Sequence, residues 1–138
     1  LAVIALTILA VATTLLMGAN WGPPLALGAL FVAVALAATS LVGVVTAFAR
    51  TVDAAGNLVS IIAVVMGLVG GSFFPVTGGN RALEIASLAT PHAWFMRGIG
   101  ELQAGGGLAS ITPSLAALAV FAVVGGLGAI AALRRRFG

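Results

Sequence analysis

Residues 25–49 read LALGALFVAVALAATSLVGVVTAFA, twenty-five consecutive positions without a charge. Wound as an α-helix, such a run reaches about 37 Å at 1.5 Å per residue. The hydrocarbon core of a bilayer is about 30 Å thick, so this helix must tilt, or end near Thr39–Ser40 and continue along the interface. A barrel strand would alternate apolar and polar residues over about ten positions, whereas this stretch is apolar on every face. In hydrocarbon each backbone N–H and C=O needs a partner, and a helix supplies them all from within one segment. The rest of the chain has the same character: 138 residues, 62% hydrophobic and 7% charged, with a mean hydropathy of +1.26. A soluble domain carries charges at about 25% of its positions. Six arginines, three acids and one histidine cannot cover the outside of a water-soluble globule.

Three further apolar runs flank this one, so the sequence predicts an all-α, polytopic transmembrane fold with spans at 1–17, 25–49, 58–76 and 111–133. The first is short for a span, as a truncated helix would be, and the chain opens at Leu1 already inside it. These features lead to the expectation of a fragment. No basic segment precedes it, and Met17-Gly18-Ala19 is a poor cleavage site, so a signal peptide is disfavoured. Gly18-Ala19-Asn20-Trp21-Gly22-Pro23-Pro24 then forms a turn with an interfacial tryptophan, and Arg50 to Asn57 reads as a short polar connection.

The few charges orient these spans. Arginine near a membrane end favours the cytoplasmic side. With four spans, Arg50 shares a side with Arg134, Arg135 and Arg136, while Arg81 and Arg97 lie opposite. Both termini are therefore expected in the cytoplasm.

Thr77 to Ser110 is too polar to cross the membrane and too apolar for a free loop. Residues 81–104 are expected to form a hairpin of two short helices, re-entrant or lying on the interface. Leu83, Ala86 and Leu88 cluster on one side of the first, and Trp94, Phe95, Ile99 and Leu102 on the second. Thr90 suits a helix cap and Pro91 the first helical position. Arg81 and Glu84 stand i,i+3, Arg97 and Glu101 i,i+4, both spacings that allow pairing.

Chemistry is conspicuous by its exclusion. The absence of cysteine removes disulfides and thiolate sites, and the absence of lysine removes a phosphate-binding loop of the G-x-x-x-x-G-K-[ST] type. His92 has no acid at a matching spacing, and no nucleophile–base–acid set can be assembled. No span holds an ionisable residue in its interior, which disfavours an ion relay. The sequence pI of about 11.7 rests on too few charges to signal nucleic-acid binding. Small residues four apart, Gly67/Gly71, Ala122/Gly126 and Gly128/Ala132, allow close helix packing. Gly70-Gly71-Ser72-Phe73-Phe74-Pro75 marks a place where the third span can bend or unwind.

The order of these features resembles the C-terminal part of the membrane subunit of ABC-2 type transporters. A span ends in Gly-Gly-Ser-Phe-Phe-Pro; a polar stretch, Thr-Pro-x-x-Trp, a glycine-rich loop, a last span and an arginine cluster follow, over residues 56–136. The resemblance implies a partial permease domain over 1–138, carrying the third to sixth of six spans, in the plasma membrane of a bacterium. It implies efflux of an unidentified cargo, with a second permease subunit and a separate ATPase that carries ATP and Mg; this chain itself would hold no cofactor, metal or catalytic residue. Gly70, Gly71, Ser72, Phe73, Phe74, Pro75, Thr90, Pro91 and Trp94 would then shape an outer gate, and a loop with Arg50 and Asp53 would face the ATPase. The other reading is a small membrane protein with a structural or assembly role.

Overall fold

A computed structural model describes residues 1–71 and 81–137, with only the backbone of Arg136 and Phe137. Six helices follow one another: α1 (Ala2–Met17), α2 (Pro24–Phe48), α3 (Val52–Val69), α4 (Arg81–Ser87), α5 (Pro91–Gln103) and α6 (Thr112–Phe137). Among the described residues α2, α3 and the Thr112–Arg135 part of α6 are long and apolar enough to cross a membrane, and the 16-residue α1 is shorter. Large apolar side chains cover their outer faces, Leu36, Val64, Val124 and Leu127 among them, each more than half exposed. A patch of that extent belongs against lipid rather than water.

The helix ends follow from local chemistry. Gly18 closes α1 with φ +66°, and its N–H and that of Ala19 reach the carbonyls of Thr14 and Thr13. Such a left-handed cap favours glycine. Trp21 sits half-buried in the turn that follows, its Nε1–H donating to Thr13 Oγ1 over 3.1 Å. Pro24 opens α2 at the position where a missing N–H costs nothing. The third span departs from the expected 58–76. It begins at Val52, because the Thr51 hydroxyl accepts from the Ala54 N–H at 3.1 Å and caps it. Asp53 in its first turn adds a carboxylate at the positive end of the helix. Most of the polar connection is thereby absorbed into α3, and residues 72–76 of the expected span lie outside the described residues.

The centre of the structure is the pair α2 and α6. Gly43 faces Ala129, Val44 faces Gly128, and a Cβ at Gly125 would stand 2.7 Å from Ser40 Oγ. Residue numbers rise together along both helices, so the two run parallel. Both therefore finish at one end of the bundle, where Ala47 to Arg50 share a groove with Gly128 to Arg135. That end carries Arg50 and the terminal arginine cluster, as the charge pattern required. Helix α2 is continuous through Thr39–Ser40, because Ser40 Oγ is satisfied by the Ala37 and Phe121 carbonyls, at 2.8 and 3.2 Å. The small-residue contacts match the expected ones in part: Gly128 meets α2 at Val44, but Gly126 does not take the place expected of it. Gly125 packs on α2, whereas a Cβ at Gly126 would meet nothing within 4 Å.

At the other end α5 wedges against α2 and α6. Gly98 lies where a Cβ would meet the Leu30 methyls at 2.8 and 2.9 Å, and Phe95 stacks obliquely on Phe31 with ring centroids 6.3 Å apart. Leu102 is 1% exposed and backs onto Gly22, in the turn that leads into α2. Along α5 the contacts thus climb from Phe31 to Gly22. The N-terminus of α5 is its deep end.

Candidate functional site

Helix lengths place this deep end. Helices α2 and α3 share the arginine end, joined there through Ala49–Thr51. At 1.5 Å per residue α2 extends about 37 Å and α3 about 27 Å. Helix α3 therefore stops about 10 Å short of the start of α2, level with Leu30 and Phe31, the residues on which α5 rests. Gly70 and the α4–α5 elbow meet at that depth. A Cβ built on Gly70 would stand 2.5 Å from His92 Cβ, 2.7 Å from the Met66 carbonyl and 2.8 Å from Thr90 Oγ1. Two motifs twenty residues apart, Gly70 and Thr90–Pro91, are thereby one contact.

The elbow is built from in-house hydrogen bonds, which a buried turn needs if its polar groups are not to go unpaired. Thr90, 6% exposed, donates to the Ser87 carbonyl at 2.8 Å and accepts from the Ala93 N–H at 3.3 Å. Ser87 donates to the Glu84 carbonyl at 2.7 Å. Trp94 Nε1–H donates to the Leu88 carbonyl at 2.9 Å, clasping the two arms of the hairpin. Thr90→Val keeps the shape and removes the cap, a change worth about 1 kcal/mol. Exchange of the Ala93 amide should quicken by roughly fivefold at that cost, while Thr90→Ser should remain close to the native protein.

Neither expected ion pair forms among the described residues. Arg97 instead lies over the Trp94 ring, 5.3 Å from its centroid. A cation over an indole face keeps its attraction while the guanidinium stays in contact with water. The apolar side expected for the first helix is also largely outward: Leu83 is 47% exposed, Ala86 is exposed and Leu88 is only partly buried. His92 is half-buried and its Nδ1 finds no hydrogen-bond partner among the described residues. Burial lowers its pKa below the ordinary 6.5, so the imidazole is held neutral. Among the described residues no three His, Asp or Glu side chains converge as a metal site would need.

Of the sequence-predicted gate residues, Gly70, Thr90, Pro91 and Trp94 come together at the elbow. Gly71 adjoins them in a left-handed turn with φ +80°, and Ser72, Phe73, Phe74 and Pro75 lie outside the described residues. Arg50 and Asp53 flank the α2–α3 turn at the other end, both exposed. Gly98 was not singled out from sequence. Its signal was its register, midway at i,i+4 between Trp94 and Leu102 on the apolar side of α5.

An all-helical, multi-pass membrane protein with a helical hairpin seated against its longest spans is the class that this fold defines. The sequence model of the ABC-2 type transporter family matches residues 1–103. The chain belongs to that family, and is a permease component of an ABC-type transporter. The match includes α1 to α5; the last span and the arginine cluster lie beyond it. No curated protein and no solved structure matches the chain.

Proposed function

We propose that the chain forms part of the translocation path of an ATP-driven exporter, with the Gly70–Thr90 elbow as its outer gate. The observation that carries this reading is the close contact between the end of α3 and the capped start of α5. Two rigid helices meet there at a point where a single methyl group does not fit. Such a joint can be docked or undocked, but not gradually deformed. A partner ATPase supplies the differential stabilisation of the two states when it binds and hydrolyses ATP. The exposed Arg50–Asp53 turn faces that ATPase, and a second permease subunit, identical or related, completes the path. The arginine end lies in the cytoplasm of a bacterial cell, the elbow toward the outside. An opening of about 420 Å³ between α1 and α2, lined by Thr7, Thr14, Trp21 and Phe31 among others, supports amphipathic cargo over small ions.

Because the chain has no cysteine, single cysteines report cleanly. Gly107 accepts a Cβ without contact, and Val52 is 88% exposed at the arginine end. Gly107→Cys is expected to react with an impermeant thiol reagent applied outside intact cells, and Val52→Cys only after permeabilisation. The reverse pattern overturns the orientation. Met96, 41% exposed on α5, reports the gate. Met96→Cys in the assembled transporter should react several-fold faster or slower once ATP and vanadate trap the ATPase. Equal rates in both states would sink the gate.

A further inference from the structure

The bundle end that carries the arginines holds a groove of about 510 Å³ between the last turns of α2 and α6. Its floor is made of small groups, Ala47, Ala49, Gly128 and Ala132, and its rim carries the exposed Phe48 and two arginines, Arg50 and Arg135. Three observations bear on what fills it. Parallel packing brings together two arginines that are 85 residues apart in sequence. No carboxylate lines the groove, and neither arginine forms an ion pair among the described residues. The floor is apolar although it opens at the level where both spans end. An acidic protein segment would complement the rim but leave the floor dry and empty. One anionic phospholipid complements both.

We propose that this groove binds an anionic phospholipid of the adjacent leaflet, its phosphate between the Arg50 and Arg135 guanidinium groups and an acyl chain along Gly128 and Ala132. Guanidinium is suited to the role because its fixed fork of donors matches phosphate oxygens. Basic sites between helix ends on the cytoplasmic side attract anionic headgroups for the same reason. The lipid would hold the ends of α2 and α6 together beside the α2–α3 turn. That the leaflet is the cytoplasmic one rests on the orientation proposed above; the binding itself does not.

Native mass spectrometry of the intact permease, titrated in detergent with phosphatidylglycerol or phosphatidylcholine, tests the site. Phosphatidylglycerol should be retained roughly thirtyfold better, as two arginines near an anionic headgroup allow. Arg50→Gln and Arg135→Gln should each remove most of that preference, whereas Arg134→Gln, outside the groove lining, should keep it. An equal loss in all three would reduce the effect to general surface attraction and overturn the site. Ala132→Leu fills the floor without changing charge and should weaken both lipids several-fold. Glycerol 3-phosphate supplies the phosphate without chains; full competition by it would refute the acyl-chain contact. If Arg50→Gln and Arg135→Gln release the partner ATPase while lipid retention is unchanged, the rim belongs to protein contact and the proposal falls. Thiol labelling at Val52 and Gly107 reads the orientation separately, so an inverted chain that still selects phosphatidylglycerol moves the site to the other leaflet without abolishing it.

Discussion

Gly70→Ala is expected to unseat the elbow while leaving the protein in the membrane at its normal abundance. The added methyl would stand 2.5 Å from His92 Cβ and 2.8 Å from Thr90 Oγ1, both on the α5 side of the joint. Neither is the free end of a flexible side chain, so α3 and α5 must separate. Overpacking of this kind costs about 1–3 kcal/mol, which multiplies the undocked population by roughly five to more than a hundred. Amide exchange at Ala93 and Trp94 should accelerate by that factor, and gating at Met96 should be lost. Insertion depends on the apolarity of the spans, which one methyl does not alter. Gly71 provides the contrast. Its φ of +80° makes alanine strained for a backbone reason, and asparagine, which tolerates that region better, should recover part of the loss. Asparagine at position 70 should recover nothing. If Gly70→Ala exchanges and gates like the native protein, the elbow is not a tight joint and the gate reading fails.

The second large effect is expected at the centre of the bundle. Gly125→Leu places a side chain against Ser40 Oγ, Cβ and backbone carbon, where even a Cβ would lie at 2.7, 3.1 and 3.3 Å. The α2–α6 seam must open, and the bond from Ser40 to the Phe121 carbonyl lengthens or breaks with it. A loss of about 3 kcal/mol, the upper end for overpacked cores, is the expected scale. Gly126→Leu, one residue on, meets open space and should be nearly neutral. Unfolding of the purified protein in a titration with sodium dodecyl sulfate reads both. A midpoint that falls equally for the two variants would show that the parallel seam is not the structural centre.

That pair of glycines also shows how far the sequence could be read. A spacing of four selected Ala122 and Gly126 as a packing pair, and in a helix as rich in small residues as α6 such pairs occur on every face. Which face meets a neighbour depends on the azimuth of the helix, and here the neighbour is α2, some eighty residues away. The elbow was more legible. Thr90 followed by Pro91 announces a capped helix start through purely local hydrogen-bond geometry, and both residues take those places. Thr51 carries the same signal, but the polar residues behind it made the first turns of α3 look like a loop. The expected pairing of Arg97 with Glu101 failed because the Trp94 face lay three residues back on the same side of α5, and spacing alone cannot choose between a carboxylate and an indole.

The sequence by itself determined that this protein is helical, lies in a membrane and keeps its charges at the ends of its spans or in the hairpin. Those conclusions rest on solvation, a property each residue brings with it wherever it is placed. It also determined family membership, because the order of motifs is a linear property. Only the tertiary structure decided that α2 and α6 run side by side in parallel, that Arg50 and Arg135 border one groove, and that Gly70 meets Thr90 about 10 Å below the start of α2. In a bundle whose helices are apolar all round, hydrophobicity does not say which face turns inward. Close packing of small residues does, and it is settled only when two helices meet.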